Sequence, residues 1–263
     1  GRTLFTVSVG GQPKYSKDYA PLPSDITHVP FNDIAALEAA VSDKTCAVII
    51  EPIQGESGIL PATQEYLQAA RRLCDKHGAL LILDEVQTGM GHTGKLFAYE
   101  HYGITPDIIS SAKALGCGFP IGAILTTDKI APTFGPGTHG STFGGNPMAC
   151  AVGSRAFDII NAPETLAHVE QQGQKLQTAL REIGVKTGVF KEVRGMGLLL
   201  GCVLADEYAG KASEITAAAL KHGLMVLVAG ANVVRFAPSL LLNDEDMAEG
   251  LKRFEAALNE WSA

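Results

Sequence analysis

A carboxylate and an amine stand at the ends of two predicted strands. Asp84 follows the apolar run 80–83, and Lys113 follows the segment 106–111. Ligands of open α/β sheets bind at the carboxyl ends of the strands, so both side chains are expected to face one small molecule. An amine among apolar neighbours has a lowered pKa, which makes Lys113 a candidate nucleophile. An ordinary ion pair at the end of a sheet is the alternative interpretation.

The two groups also match the needs of a pyridine cofactor. Pyridoxal phosphate (PLP) requires a lysine that forms a Schiff base with its aldehyde, and an acid partner on its ring nitrogen. The stretch 137–147 is rich in glycine and hydroxyl residues and precedes a predicted helix, as in loops that cradle phosphates. A loop that merely caps a helix has a similar composition, so this signal is weak on its own.

The elements that position these residues alternate between strand and helix. Apolar runs predict strands at 46–50, 80–83, 106–111 and 121–126, and helical spacing predicts a helix over 64–77 that ends before Gly78. This alternation predicts an α/β protein with a mainly parallel central sheet.

The second half of the chain has a different pattern. We predict helices at 148–160, 163–183, 212–222 and 244–261, and strands within 190–204, 225–228 and 233–237. We therefore place a domain boundary near residues 161–163. Residues 1–160 are expected to form a large cofactor-binding domain, and residues 161–263 a smaller α+β domain.

Composition excludes several classes of function. Among the 263 residues, 46% are hydrophobic and 19% charged, and the formal net charge of -7 comes without a basic stripe. A packed core is expected, and nucleic acid is not an expected partner. No apolar run reaches the length of a membrane span. Five widely spaced cysteines without a C-x-x-C pair argue against a metal or disulfide framework and favour a reducing cytoplasm.

Four motifs follow one another along the chain: EPIQGE at 51–56, DEVQTG at 84–89, AKALG at 112–116 and HGSTFGGNP at 139–147. In this order they resemble one enzyme family, the ornithine and acetylornithine aminotransferases among the class III, fold type I PLP enzymes. The segment 234–240 (VRFAPSL) favours the acetylornithine/succinylornithine branch. The resemblance covers essentially the whole chain and implies the fold type I architecture.

The resemblance also implies roles around the cofactor. Lys113 would be the Schiff-base lysine and the proton carrier, and Asp84 would pair with the pyridinium nitrogen. Gln87 would lie near the phenolic oxygen of the ring, and Val86 would pack on one ring face. Thr142 would reach the phosphate held by the partner subunit, which implies a homodimer with shared active sites.

Substrate contacts are implied in the same way. Arg2 would take the substrate α-carboxylate through a bidentate fork, and Ser141 would also contact the substrate. Arg235 and Glu56 resemble a switchable pair, in which the arginine binds 2-oxoglutarate in one half-reaction and is neutralised by the glutamate in the other. The implied reaction moves the terminal amine of N2-acetyl-L-ornithine or N2-succinyl-L-ornithine to 2-oxoglutarate. The alternatives are an aminotransferase for ornithine or 4-aminobutyrate, and an inactive dimerisation module.

The sequence departs from the family pattern in several places. Ser57 and Cys117 stand where glycine is expected, and His92 stands where arginine is expected. Cys117 would be strained if its position requires a positive φ. About the first third of the family's chain has no counterpart here, so we expect an incomplete large domain with exposed apolar sheet edges. We also expect this chain alone to be a poor enzyme or inactive.

Overall fold

The computed structural model describes residues 3–261. Its first 40 residues contain three short helices that the sequence patterns did not predict: α1 (Leu4–Val9), α2 (Pro13–Ser16) and α3 (Ile34–Ala40). The side chain of Asp33 caps α3 by accepting a hydrogen bond from the amide of Ala36. Helices this short have too few apolar positions to give a clear period, which explains why they were missed.

Next comes a four-stranded central sheet with a small hairpin and one helix. Its elements in chain order are β1 (Ala47–Ile50), β2 (Ile53–Gln54), β3 (Leu60–Pro61), α4 (Gln64–His77), β4 (Leu80–Asp84), β5 (Ile108–Ser111) and β6 (Ala123–Thr126). The strand order is β1-β4-β5-β6, with β1, β4 and β5 parallel and β6 antiparallel to β5. The predicted mainly parallel sheet is confirmed.

Local signals fix the bounds of α4 and the register of the strands. Thr63 caps the start of the helix, and Gly78 ends it in the left-handed conformation with φ of 68°. The predicted range 64–77 is therefore confirmed. In the sheet, Asp84 pairs in register with Ser110, so the end of β4 lies beside the chain that leads to Lys113.

Helix α5 (Pro147–Ile160) packs against the 3-10 helix that begins at Lys113. The rest of the chain forms a second, antiparallel sheet covered by helices. Its elements are α6 (Pro163–Thr187), β7 (Phe190–Met196), β8 (Leu199–Leu204), α7 (Ala212–Lys221), β9 (Leu227–Val228), β10 (Val233–Phe236) and α8 (Asp244–Trp261). The strand order is β7-β8-β10-β9. Helix α6 runs four residues past the predicted end at 183, because its left-handed C-cap is Gly188.

Apolar packing joins the two halves of the molecule. Ile53 and Ile59, at the β2–β3 hairpin, form a buried cluster with Leu199, Val203 and Val233 of the antiparallel sheet. This cluster holds the loop 55–58 next to β10, which places Glu56 beside Arg235.

The central sheet exposes apolar side chains, as the sequence led us to expect. Ile49 on β1 is exposed, and on β6 Ile124 is 62% exposed and Leu125 is 40% exposed. No helix within the described residues is long and apolar enough to cross a membrane.

Candidate active site

Asp84 ends β4 with its carboxylate held in place. Its Oδ1 atom accepts hydrogen bonds from the amide of Val86 and from the hydroxyl of Ser110, both at 3.0 Å. Within residues 3–261 no donor reaches Oδ2. One oxygen therefore orients the carboxylate, and the other is available to a ligand.

Lys113 lies just past the end of the neighbouring strand β5. It begins a short 3-10 helix, Lys113–Gly116, and has φ of 49°, a left-handed backbone conformation that is uncommon for a residue with a side chain. Such backbone strain is concentrated at functional sites. In the described part of the chain no ion pair joins Lys113 to Asp84, so the alternative of an ordinary ion pair has no support.

The environment of Lys113 shifts its amine toward the neutral form. The residue is exposed, but desolvation of the amine lowers its pKa below the ordinary 10.5, and the positive charge of Arg235 acts in the same direction. The nearby carboxylates Glu56, Asp84 and Glu51 oppose this effect without reversing it. A lysine with a lowered pKa is a better nucleophile near neutral pH.

Arg235 reaches the same region from β10 and forms a network with Glu56 and Gln87. Its Nη1 atom lies 2.8 Å from Oε1 of Glu56 and donates to Oε1 of Gln87 at 3.1 Å. Gln87 in turn donates from Nε2 to Glu56 at 2.9 Å. The Nε atom of Arg235 is buried and has no partner among the residues that the structure describes. A ligand carboxylate could satisfy that unpaired donor.

The charge of Glu56 is stabilised by this network. Desolvation is the largest single influence and raises its pKa, but hydrogen bonds from Arg235 and Gln87 and the positive charges of Arg235 and Lys113 together lower it below 4.5. Glu56 is therefore ionised at neutral pH and neutralises Arg235.

Ser141, Thr142 and Val86 are the remaining predicted site residues that the structure describes. Ser141 and Thr142 are exposed in the loop before α5, where the Ser141 hydroxyl accepts from the amide of Gly144 at 2.9 Å. An open cavity of about 760 Å³ adjoins this loop and is lined in part by Ser111 and Ser141. Val86 is half-buried after β4. Arg2 lies outside the described residues.

Two glutamates at strand ends were not predicted as important. Glu85 is only 1% exposed and accepts hydrogen bonds from the amides of Ala98 and Tyr99 and from the Thr88 hydroxyl. Burial raises its pKa. The adjacent acids Asp84 and Glu85 therefore face opposite ways, one toward the site and one into the core. Strand alternation was the available signal, because neighbouring side chains leave a strand on opposite faces.

The second glutamate, Glu51, follows the end of β1. Its Oε2 atom accepts a hydrogen bond from the amide of Gly55 at 3.0 Å, and burial raises its pKa, with Asp84 acting in the same direction. The carboxyl end of β1 belongs to the same sheet edge as Asp84. This shared edge was the signal that could have identified Glu51 as a site residue.

The departures from the family pattern have structural consequences. Cys117 has φ of 44°, so the expected strain of a cysteine at a glycine position is present. The ring of His92 lies near the carbonyl of Gly89 at 3.3 Å, and burial lowers its pKa. Ser57 is exposed. No group of three or more His, Cys, Asp or Glu side chains in the described chain is arranged to hold a metal ion.

A mainly parallel sheet with Asp84 and Lys113 at one edge, followed by a smaller antiparallel domain, defines the architecture of the fold type I PLP-dependent transferases. The family model for class III aminotransferases matches residues 1–258, and the chain belongs to this family. Enzymes of this class depend on PLP, so this is the cofactor that the site has to accommodate.

Several known proteins are similar to the chain. The acetylornithine aminotransferase of Neisseria meningitidis serogroup B is 83% identical over all 263 residues, which cover 66% of that protein. A succinylornithine transaminase/acetylornithine aminotransferase of Pseudomonas aeruginosa is 59% identical over 98% of this chain and 64% of that protein. The crystal structure of N-acetylornithine aminotransferase from Stenotrophomonas maltophilia K279a matches with a TM-score of 0.84 and 45% identity, over 90% of this chain and 63% of that one. The chain thus spans about two thirds of these relatives.

Proposed function

We propose that the protein transfers the terminal amine of an N2-acyl-L-ornithine to 2-oxoglutarate, giving N-acyl-glutamate semialdehyde and glutamate. The observation that carries this proposal is the network around Arg235, an arginine that is neutralised by Glu56 yet keeps a buried, unpaired Nε. The names of the relatives at 59% and 83% identity support acetylornithine or succinylornithine as the amine donor. In a cell this activity belongs to arginine metabolism.

The residues at the sheet edge fit PLP. When bound, PLP supplies an aldehyde that condenses with amines and a protonated ring that acts as an electron sink. Lys113 would hold the aldehyde carbon, since it lies just past the end of β5 and next to the strand that ends at Asp84. Asp84 would hold the ring nitrogen through its free oxygen, with Gln87 and Val86 beside the ring.

The chain's own groups then move protons and bind charge. The amine of Lys113 would act as general base and general acid, a role that a lowered pKa favours. The carboxylate of Asp84 would lie beside the ring nitrogen, oriented by the amide of Val86 and the hydroxyl of Ser110.

Substrate choice would depend on Arg235. With the donor amine bound, Glu56 would neutralise the positive charge of Arg235 through their ion pair. With 2-oxoglutarate bound, the distal carboxylate would take the place of Glu56 and accept a hydrogen bond from the buried Nε. Arg2 and Ser141 would contact the other end of the substrate, with Arg2 binding the α-carboxylate.

The organisation of the protein is part of the proposal. Residues 1–160 would form the large domain and residues 161–263 the small one.

Two copies would form a homodimer in which Thr142 reaches the phosphate in the partner's site. Exposed apolar side chains beside that loop, including Phe143 at 81% and Met148 at 64% exposure, support a covering partner. Five unpaired cysteines support a reducing, cytoplasmic location.

The test is a substrate comparison at equal enzyme concentration. We would measure kcat/KM with 2-oxoglutarate for N2-acetylornithine, N2-succinylornithine, ornithine and 4-aminobutyrate, with Lys113→Ala as the control. The proposal requires that an acylated ornithine be the best donor and that the variant be inactive. A clear preference for free ornithine or 4-aminobutyrate would replace the proposed substrate. No turnover of any of the four, by this chain and by a version completed with the remaining third of the Neisseria meningitidis relative, would reject the proposed reaction.

A further inference from the structure

Glu51 is a carboxylate inside the candidate site to which no role has so far been assigned. It follows β1 and accepts the amide hydrogen of Gly55, four residues further along the chain, at 3.0 Å. Asp84, Lys113 and Glu56 are the charged groups that act on it. Two of these are acids, which oppose its ionisation, so electrostatics does not by itself favour a glutamate at this position.

Gly55 is the residue through which Glu51 reaches the Arg235 network. Its carbonyl accepts a hydrogen bond from Nη1 of Arg235 at 3.2 Å. A Cβ atom added to Gly55 would lie 2.5 Å from Cδ of Gln87, so the backbone is packed directly against that amide. Gly55 therefore touches both partners of the next residue, Glu56. Any movement of the Gly55 backbone changes how Glu56 meets Arg235.

The other end of the loop 55–58 has a separate attachment. Arg194 donates from Nε and Nη2 to the carbonyl of Gly58, at 3.0 and 2.8 Å. The Ile53 and Ile59 side chains that flank the loop are fully buried. Removal of the Glu51 carboxylate would thus free one end of the loop and leave the hairpin packed.

We infer that Glu51 is a positioning residue for substrate choice, because its carboxylate fixes Gly55 and thereby holds Glu56 against Arg235. The inference rests on the proposed function and deepens it. In Glu51→Ala the loop would relax, and Glu56 would cover Arg235 less completely. Glutamate, whose side-chain carboxylate binds Arg235, would then compete better as an amino donor against the acylated ornithine. Glu51→Gln keeps an oxygen that can accept the Gly55 amide hydrogen and should preserve the arrangement.

The test compares wild type, Glu51→Ala, Glu51→Gln and a matched control, Glu38→Ala, which removes an exposed carboxylate on α3. The first readout is the ratio of kcat/KM for N2-acetylornithine to kcat/KM for glutamate. We expect Glu51→Ala to lower this ratio about tenfold, and the other two variants to stay within about threefold of wild type. The second readout is hydrogen exchange in a peptide spanning residues 53–58, which Glu51→Ala should accelerate at the Gly55 amide.

The outcomes distinguish a failure of the inference about Glu51 from a failure of the proposed function. An equal loss of kcat/KM for both donors in Glu51→Ala would indicate a merely structural role and overturn the inference. Unchanged exchange at Gly55 would overturn it as well, whether or not the chain turns over substrate. If wild type shows no transamination but exchange at Gly55 still depends on Glu51, the positioning contact stands and the proposed function fails.

Discussion

Arg235 and Glu56 are separated by 179 positions in the chain and joined by an ion pair of 2.8 Å. Gln87 is hydrogen-bonded to both. The glutamate comes from the loop after β2 and the arginine from β10, so the contact exists only because the β2–β3 hairpin packs on the antiparallel sheet. The feature that we propose to govern substrate choice therefore depends on how the two halves of the molecule meet.

Replacement of Arg235 should slow the half-reaction with 2-oxoglutarate more than the half-reaction with the amine donor. In Arg235→Lys the charge remains, but the planar group with its buried Nε is lost. We expect kcat/KM for 2-oxoglutarate to fall about 10- to 100-fold, as for the loss of a charged hydrogen bond, while the half-reaction with N2-acetylornithine changes little. Single-turnover kinetics with each substrate would measure this. Equal losses in both half-reactions would contradict the assigned role.

The ion pair should also leave a signature in acid. The pKa of Glu56 is lower in the folded chain than its ordinary 4.5, because the hydrogen bonds of Arg235 and Gln87 outweigh desolvation. The unfolded chain thus takes up this proton more readily, and the pair's contribution to stability is complete above about pH 4.5 and lost as the pH falls through the lowered pKa. The difference in Tm between wild type and Glu56→Gln should shrink as the pH falls below about 4.5. A constant difference would show that the charge of Glu56 is not stabilised by folding.

Asp84→Asn offers a test of the carboxylate on its own. The amide oxygen can still accept from the Val86 amide and the Ser110 hydroxyl, so the fold should be retained. The negative charge that we propose beside the ring nitrogen is lost, and we expect kcat to fall roughly 10²- to 10³-fold. Ser110→Ala, which removes one of the two supporting hydrogen bonds, is the control and should cost far less. A fully active Asp84→Asn variant would show that the charge of Asp84 does not act on the cofactor.

Much of the fold was predictable because its long elements have clear periods. Helix α4 was predicted with its observed bounds, since Thr63 and Gly78 mark its two ends. The parallel order of β1, β4 and β5 followed from the alternation of strands and helix. The helices α1 to α3 and the two-residue strands β2 and β3 were missed, because such short segments contain at most about two repeats of a helical or strand pattern.

Only part of the candidate site was predictable from local sequence patterns. Asp84 and Lys113 could be proposed from the ends of their strands, and the structure places both at one sheet edge. The pairing of Glu56 with Arg235 came from the family resemblance alone, since no local pattern relates residues so far apart. The hydrogen bond between Glu51 and Gly55 could be found only in the structure, because every residue type except proline has a backbone amide and the sequence does not show where it donates.

A pair of helical glycines tests how tightly helix α6 packs on the turn between β7 and β8. A Cβ atom at Gly173 on α6 would lie 2.3 Å from the carbonyl oxygen of Gly197, whereas at Gly153 on α5 its nearest neighbours would be 3.5 Å away. Gly173→Ala should therefore reduce the free energy of unfolding by about 1–3 kcal/mol. Gly153→Ala should raise it by about 0.5–1 kcal/mol through helix propensity. Thermal unfolding of both variants would measure the opposite shifts, and a stable Gly173→Ala would refute the close contact.

The central claim is that Lys113 holds the cofactor. The most direct measurement is incubation of the chain with PLP, reduction with borohydride and peptide mass mapping. The account predicts a pyridoxyl mass on the peptide containing Lys113, at neutral pH because burial lowers the pKa of this lysine, and no such mass in Lys113→Ala. Labelling spread evenly over exposed lysines, or unchanged overall in Lys113→Ala, would contradict it.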